Sequence, residues 1–140
     1  MADAGTAFRA FVVAQAGVSA LIGDRMIPDE LLQKTTMPAV TYHRISTLHH
    51  ENINGSKAGM AEAIVEVRAY AASRTACTAI CEAIRTCGVL DMLGVYSGVN
   101  FRCVMLASGR NDFTESPIDG THELRYVSSQ DYSLTYLEAV

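Results

Sequence analysis

Residues 60–88, MAEAIVEVRAYAASRTACTAICEAIRTCG, constrain the fold more than any other stretch of the chain. Their first half alternates. Val65, Val67, Ala69 and Ala71 fall on one side, and Ile64, Glu66, Arg68 and Tyr70 on the other. A period of two is the signature of a half-buried strand. At Ser73 the period changes. Cys77, Ile80, Cys81, Ile84 and Cys87 recur at helical spacing, and Gly88 supplies a C-terminal stop. A strand that runs almost directly into an amphipathic helix offers that helix a nearby apolar surface, its own sheet. The remaining segments must then supply the rest of an antiparallel sheet.

Upstream, residues 1–22 read as helical, with Asp3 as N-cap and Phe8, Phe11, Val12, Val18, Leu21 and Ile22 as the apolar stripe. Gly17 is the weak point, where a break would leave the final turn separate. Residues 25–37 form a connector over Ile27, Leu31 and Leu32. Pro38 opens a strand, residues 38–46, at a position where its missing N–H does least harm. Residues 47–59 read as a polar loop around the turn dipeptide Asn54-Gly55. After the helix, Leu90, Met92 and Leu93 precede a turn at Ser97-Gly98. Residues 99–106 alternate as a third strand, residues 109–123 form a second long loop, and residues 124–137 form a fourth strand. The expectation is a single α+β domain over residues 1–140. It has a mostly antiparallel four-stranded sheet with two main helices on one face, in the order α-β-β-α-β-β. Two helices cover one face only. Yet Ile64 and Tyr70 oppose Val65 and Val67, and Val104 and Leu106 oppose Phe101 and Met105, so both faces carry apolar residues. That predicts a partner surface.

Composition narrows the function classes. Hydrophobic residues make up 49% of the 140 and charged residues 19%, a globular balance. The net charge of −4 gives no electrostatic reason to expect nucleic acid or anionic membrane as a primary partner. No apolar run approaches the roughly 20 residues of a membrane helix, and no signal-peptide pattern opens the chain. In the reducing cytosol this implies, the four cysteines are expected as free thiols.

No motif assembles chemistry. Cys77 and Cys81 share a helix face but lack the paired C-x-x-C spacing of a zinc site, so they read as core. His49-His50-Glu51 places neighbours on opposite sides of an extended chain, which does not converge on one metal. His43 sits in a strand. Asp112, Glu115 and Asp119 lack the calcium-loop pattern. Residues 94–98 are not a nucleophile elbow, and Gly55-Ser56-Lys57 is not a phosphate loop. Tyr126, Tyr132 and Tyr136 read as sheet residues. The expectation is no catalytic residue, no metal and no cofactor. That favours a protein–protein role over an enzyme.

Several segments together are similar to a known group. They are LIGDRMIPDELLQ, then MPAVTYHRIS, then IVEVRAYAASRTACTAICEAIR, and finally VNFRCVMLASGRNDF with DGTHELRYVSSQDYSLTY. In order and spacing this resembles the tail-completion, or tail-terminator, proteins of long-tailed bacteriophages and prophage-like tails, from Ala7 to Tyr136. The most telling pieces are Gly23-Asp24-Arg25, Pro38-Ala39-Val40, the joint at Ala71-Ala72-Ser73, and the ending Asp131-Tyr132-Ser133-Leu134-Thr135-Tyr136.

The resemblance implies a virion structural protein with no enzyme activity. It implies a homo-oligomeric ring, typically a hexamer, at the head-proximal end of the tail tube. That ring ends tail polymerisation and joins tail to head, after assembly in the host cytoplasm. Its partners would be the tail tube protein and a head-completion or connector protein, and DNA would pass through the lumen without specific binding. No membrane is involved. The candidate docking residues are His49, His50, Glu51, Asn54 and Lys57 in the first loop, and Asn111, Asp112, Glu115 and Asp119 in the second. A head-closure component of the same neck, or a small ligand-binding or enzymatic domain, stays open as an alternative.

Overall fold

A computed structural model describes residues 3–31, 36–51, 57–115 and 125–137. The chain begins with α1 (Ala4–Val13), capped by Asp3, whose carboxylate accepts from the Thr6 amide at 2.9 Å. α2 (Ala16–Ile22) follows at a bend of 87°. The break falls at Ala14 and Gln15 rather than at Gly17. Gln15 takes an extended conformation, and its side-chain amide donates to the Phe11 carbonyl at 3.1 Å, satisfying an acceptor that the broken helix orphans. The bend lets Phe8 and Val12 of α1 and Val18 and Ile22 of α2 all enter the core.

Six strands follow: β1 (Met26–Pro28), β2 (Ala39–Glu51), β3 (Lys57–Ala71), β4 (Gly94–Tyr96), β5 (Val99–Glu115) and β6 (Arg125–Leu137). They form one sheet in the order β1-β2-β3-β6-β5-β4, antiparallel except for β1 beside β2, and curled into a half-barrel. α3 (Arg74–Thr86) leaves β3 after a two-residue joint, capped by the Ser73 hydroxyl on the Ala76 amide at 3.2 Å. Gly88, at φ 100°, ends that helical region in the left-handed conformation that favours glycine. Ser97 and Gly98, both at positive φ, make the tight turn between β4 and β5.

The expected α+β arrangement of four strands and two helices is therefore corrected, among the described residues, to a mixed sheet of six strands with three helices. β1 and β4 are three residues each, too short to show a period. Where they are described, at residues 47–51, 57–59 and 109–115, the two expected loops are strand. β2 runs to Glu51 and pairs with β3 back to Lys57, and β5 runs to Glu115 opposite Arg125. None of their described side chains is buried, and their large apolar residues, Leu48 and Phe113, are exposed. Pattern reading needs one buried face to register a period of two, and these arms have none.

The face assignment also changes. A register shift between Phe101 and Cys103 inserts one residue, so Phe101, Val104 and Leu106 all lie on the helix side, and Met105 points away from it. The core sits between the helices and the inner side of β3, where Ala61, Ala63, Val65, Val67, Ala69 and Ala71 are buried. These small residues let α3 lie close to the sheet. The Cys77 thiol donates to the Tyr126 carbonyl at 2.9 Å. Phe8 meets Tyr132 at 5.3 Å between ring centroids, and Phe11 meets Tyr96 edge-on at 5.3 Å.

Candidate assembly surfaces

The candidate docking residues divide between opposite ends of the sheet. His49 pairs with Ala61 of β3, whereas Asp112 pairs with Ser128, which pairs with Ala69. From Ala61 to Ala69 the strand advances roughly 27 Å at about 3.3 Å per residue. The β2–β3 arm therefore projects from one end and the β5–β6 arm from the other, and among the described residues no single site gathers both sets.

On the first arm, His49 is exposed, and His50 Nε2 lies 4.0 Å from Glu62 Oε2. Glu51 and Lys57 face each other as the last described pair of the ladder. On the second, Asn111 is exposed opposite Ser129, and Glu115 closes the ladder opposite Arg125. Asp112 accepts from the Ser128 hydroxyl at 2.7 Å and lies 3.4 Å from Arg74. Asn54 and Asp119 lie outside the described residues.

Arg74, which the sequence did not single out, holds the base of the second arm. From the first turn of α3 its guanidinium donates to the carbonyls of Val127 at 2.8 Å and Phe113 at 2.9 Å, and to the Ser128 hydroxyl at 3.0 Å. It also lies 5.3 Å from the Tyr126 ring. On the opposite face Arg68, paired with Glu66 at 2.6 Å, lies 5.6 Å from the Phe113 ring. A basic residue at the start of a helix opposes the helix dipole, and that misfit was the available signal for a tertiary role.

At the edge of the sheet, Arg25 and Arg9 fix the segment that joins α2 to β2. Arg25 donates to the Pro38 carbonyl at 2.8 Å, and its own carbonyl accepts from the Val40 amide at 2.9 Å. Arg9 donates to the carbonyls of Met26 and Asp24 at 2.9 and 3.0 Å. Thus Gly23-Asp24-Arg25 and Pro38-Ala39-Val40, far apart in the chain, meet in one junction. Nearby, Arg44 ion-pairs with Asp3 beside an open cleft of about 300 Å³ lined also by Thr6, Asp29 and Tyr42.

The sheet face away from the helices is graded. Its middle carries Glu66, Arg68, Asp131 and Ser108, with the Ser108 hydroxyl donating to Asp131 at 3.1 Å. Toward the first arm it turns apolar, with Leu48 and Met105 each 60% exposed and Leu137 also exposed. Cys103 is exposed there, while Cys77 and Cys81 are buried under α3. Burial pushes the Cys77 and Cys87 thiols up, away from reactive thiolate. Among the described residues no group of three or more His, Cys, Asp or Glu side chains converges, and no single helix is long and apolar enough to cross a membrane.

No protein-family model and no curated protein matches the sequence. Among solved structures the chain is similar to one in the virion of a native gene transfer agent particle. The TM-score is 0.64 and the identity 12%, covering 95% of this chain and 94% of that one. At that identity the likeness is one of fold, end to end.

Proposed function

We propose that this chain is a structural subunit of a phage-like virion: a tail terminator that forms a ring, typically of six copies, on the head-proximal end of the tail tube. The observation that carries this reading is the fold shared over nearly the whole of both chains with a component of a gene transfer agent virion. The opposed arms agree with it. A ring seated between tube and head must contact a different partner above and below, and the arms reach out from opposite ends of the sheet. One arm would meet the tail tube protein and the other a head-completion or connector protein. The role needs no enzyme activity and no cofactor. A net charge of −4 suits a subunit whose ring lets DNA pass without holding it.

Particles carrying an epitope-tagged copy of the chain test the reading. The tag should appear by electron microscopy at the tail–head junction, in several copies per particle. Loss of the chain should leave tails of uncontrolled length without heads. A tag found on the head side of the joint would instead make the chain a head-closure component. A tag absent from the junction, or present there as one copy, would end the terminator reading.

A further inference from the structure

Opposite edges of the sheet carry exposed apolar residues at the same level. Gly94 pairs with Phe101, Phe101 with Tyr136, Tyr136 with Ala61, and Ala61 with His49, so a single row crosses the sheet from β4 to β2. Leu93 precedes that row on the β4 edge, and Leu48 precedes it on the β2 edge. Leu93 is 66% and Val95 69% exposed on one side, and Leu48 is 60% exposed on the other; Ile45, 51% exposed, lies further back along β2, at the register shift between Arg44 and Ser46. β1 does not intervene, because it pairs with residues 40–42 at the far end of β2. Among the described residues, β4 and the β2 arm are therefore the outermost strands of this end of the sheet.

Exposed apolar side chains scattered singly are ordinary; exposed leucines at one level on the two outermost strands make a matched pair of contact points. A single copy cannot bring them together, since three strands lie between β2 and β4. We propose that they meet between copies: the β4 edge, with Leu93 and Val95, packs against Leu48 on the β2 arm of a second copy of this chain. Contact between two different patches is heterologous. With both patches at one level, successive copies advance sideways with little rise, and such a contact closes into a ring rather than a filament. The β5–β6 arm stays outside this contact. The proposal rests on the reading of the chain as a ring subunit and supplies the side-to-side seam of that ring.

Two variants test it, Leu48→Lys and Leu93→Lys, each at an exposed position where the fold should tolerate the charge. The wild-type chain should form concentration-dependent oligomers, and each variant alone should be monomeric, with the unfolding curve of the wild-type chain at dilutions where it is monomeric. Mixed in equal amounts they should give dimers and nothing larger, because each retains one intact patch. A Leu48→Cys/Leu93→Cys variant in a Cys103→Ser background should form a ladder of intermolecular disulfides under mild oxidant. Oligomers that persist in both lysine variants would overturn the seam, as would a mixture that stays monomeric or a double-cysteine chain that forms no intermolecular disulfide. A chain that sits at the tail–head junction yet fails these tests loses the seam alone. A chain that passes them but is absent from particles loses the terminator reading alone.

Discussion

On the helix side of the sheet, β3 from Ala61 to Ala71 presents only alanine and valine, and every one is buried. On the other side the same strand presents Glu62, Ile64, Glu66 and Arg68, all partly exposed, with Tyr70 the exception. The inner face is filled by size: small strand residues admit α3, and the large ones, Phe8, Tyr132, Phe101 and Ile80, come from the elements around them. The outer face is held by pairs instead, Arg68 with Glu66 and Ser133 with Glu62 at 2.8 Å. Close packing makes a face intolerant of change, whereas exposed pairs contribute little each. One face specifies the fold, and the other is free to meet partners.

Substitutions should expose this difference, beginning with the largest effect. Ile80→Asp places a charge under α3 where no partner waits. An unpaired buried charge costs several kcal/mol, against a typical domain stability of about 5–15 kcal/mol. Circular dichroism should show loss of the cooperative fold; a soluble, cooperatively folding variant would mean that α3 does not cover the sheet. Arg74→Ala removes the donor from two carbonyls and a hydroxyl at the base of the β5–β6 arm. The expected loss is about 1.5–3 kcal/mol by urea titration, with faster hydrogen exchange at that base. Arg74→Lys should restore little of it, because a single ammonium cannot span the same acceptors.

Alkaline pH tests the inner face without mutation. Burial raises the Cys77 and Cys87 thiols and the Tyr132 hydroxyl, the last also hydrogen-bonded to Gln130 at 3.0 Å. Groups raised on folding hold more protons in the folded state, so their stabilisation is complete below the unfolded values and is lost as pH rises past them. Stability should be flat through neutrality and fall above about pH 8.5, with a further tyrosine-dependent fall from about pH 10. Tyr132→Phe should remove that second fall. The smallest effect belongs to the outer face: Met105→Lys should change unfolding free energy by no more than about 0.5 kcal/mol. A larger loss would show that Met105 is packed in the isolated subunit.

Legibility followed burial. The joint from β3 to α3 with its change of period at Ser73, the cap at Asp3, the stop at Gly88 and the turn at Ser97-Gly98 were all readable, because each is a local rule acting over a few residues. The polar arms were not. Residues 47–51 and 109–115 look like loops because no face of them is buried, yet a neighbouring strand holds them extended through backbone hydrogen bonds that use no side chain. The bulge after Phe101 was equally invisible, since one inserted residue reverses the alternation that follows it, here as far as the next register shift after Leu106. His49 and Asp112 could be named as candidates, but nothing local said that they lie at opposite ends.

Period, capping and turn chemistry act between residues close in the chain, and they settled where α3 begins, which side of β3 is buried and where the cysteines under that helix go. Strand order and register depend on pairings between distant residues, which carry no local mark. Only the tertiary structure could place β6 between β3 and β5, bring Arg74 onto the carbonyls of Val127 and Phe113, and set Leu48 and Leu93 on opposite edges at one level.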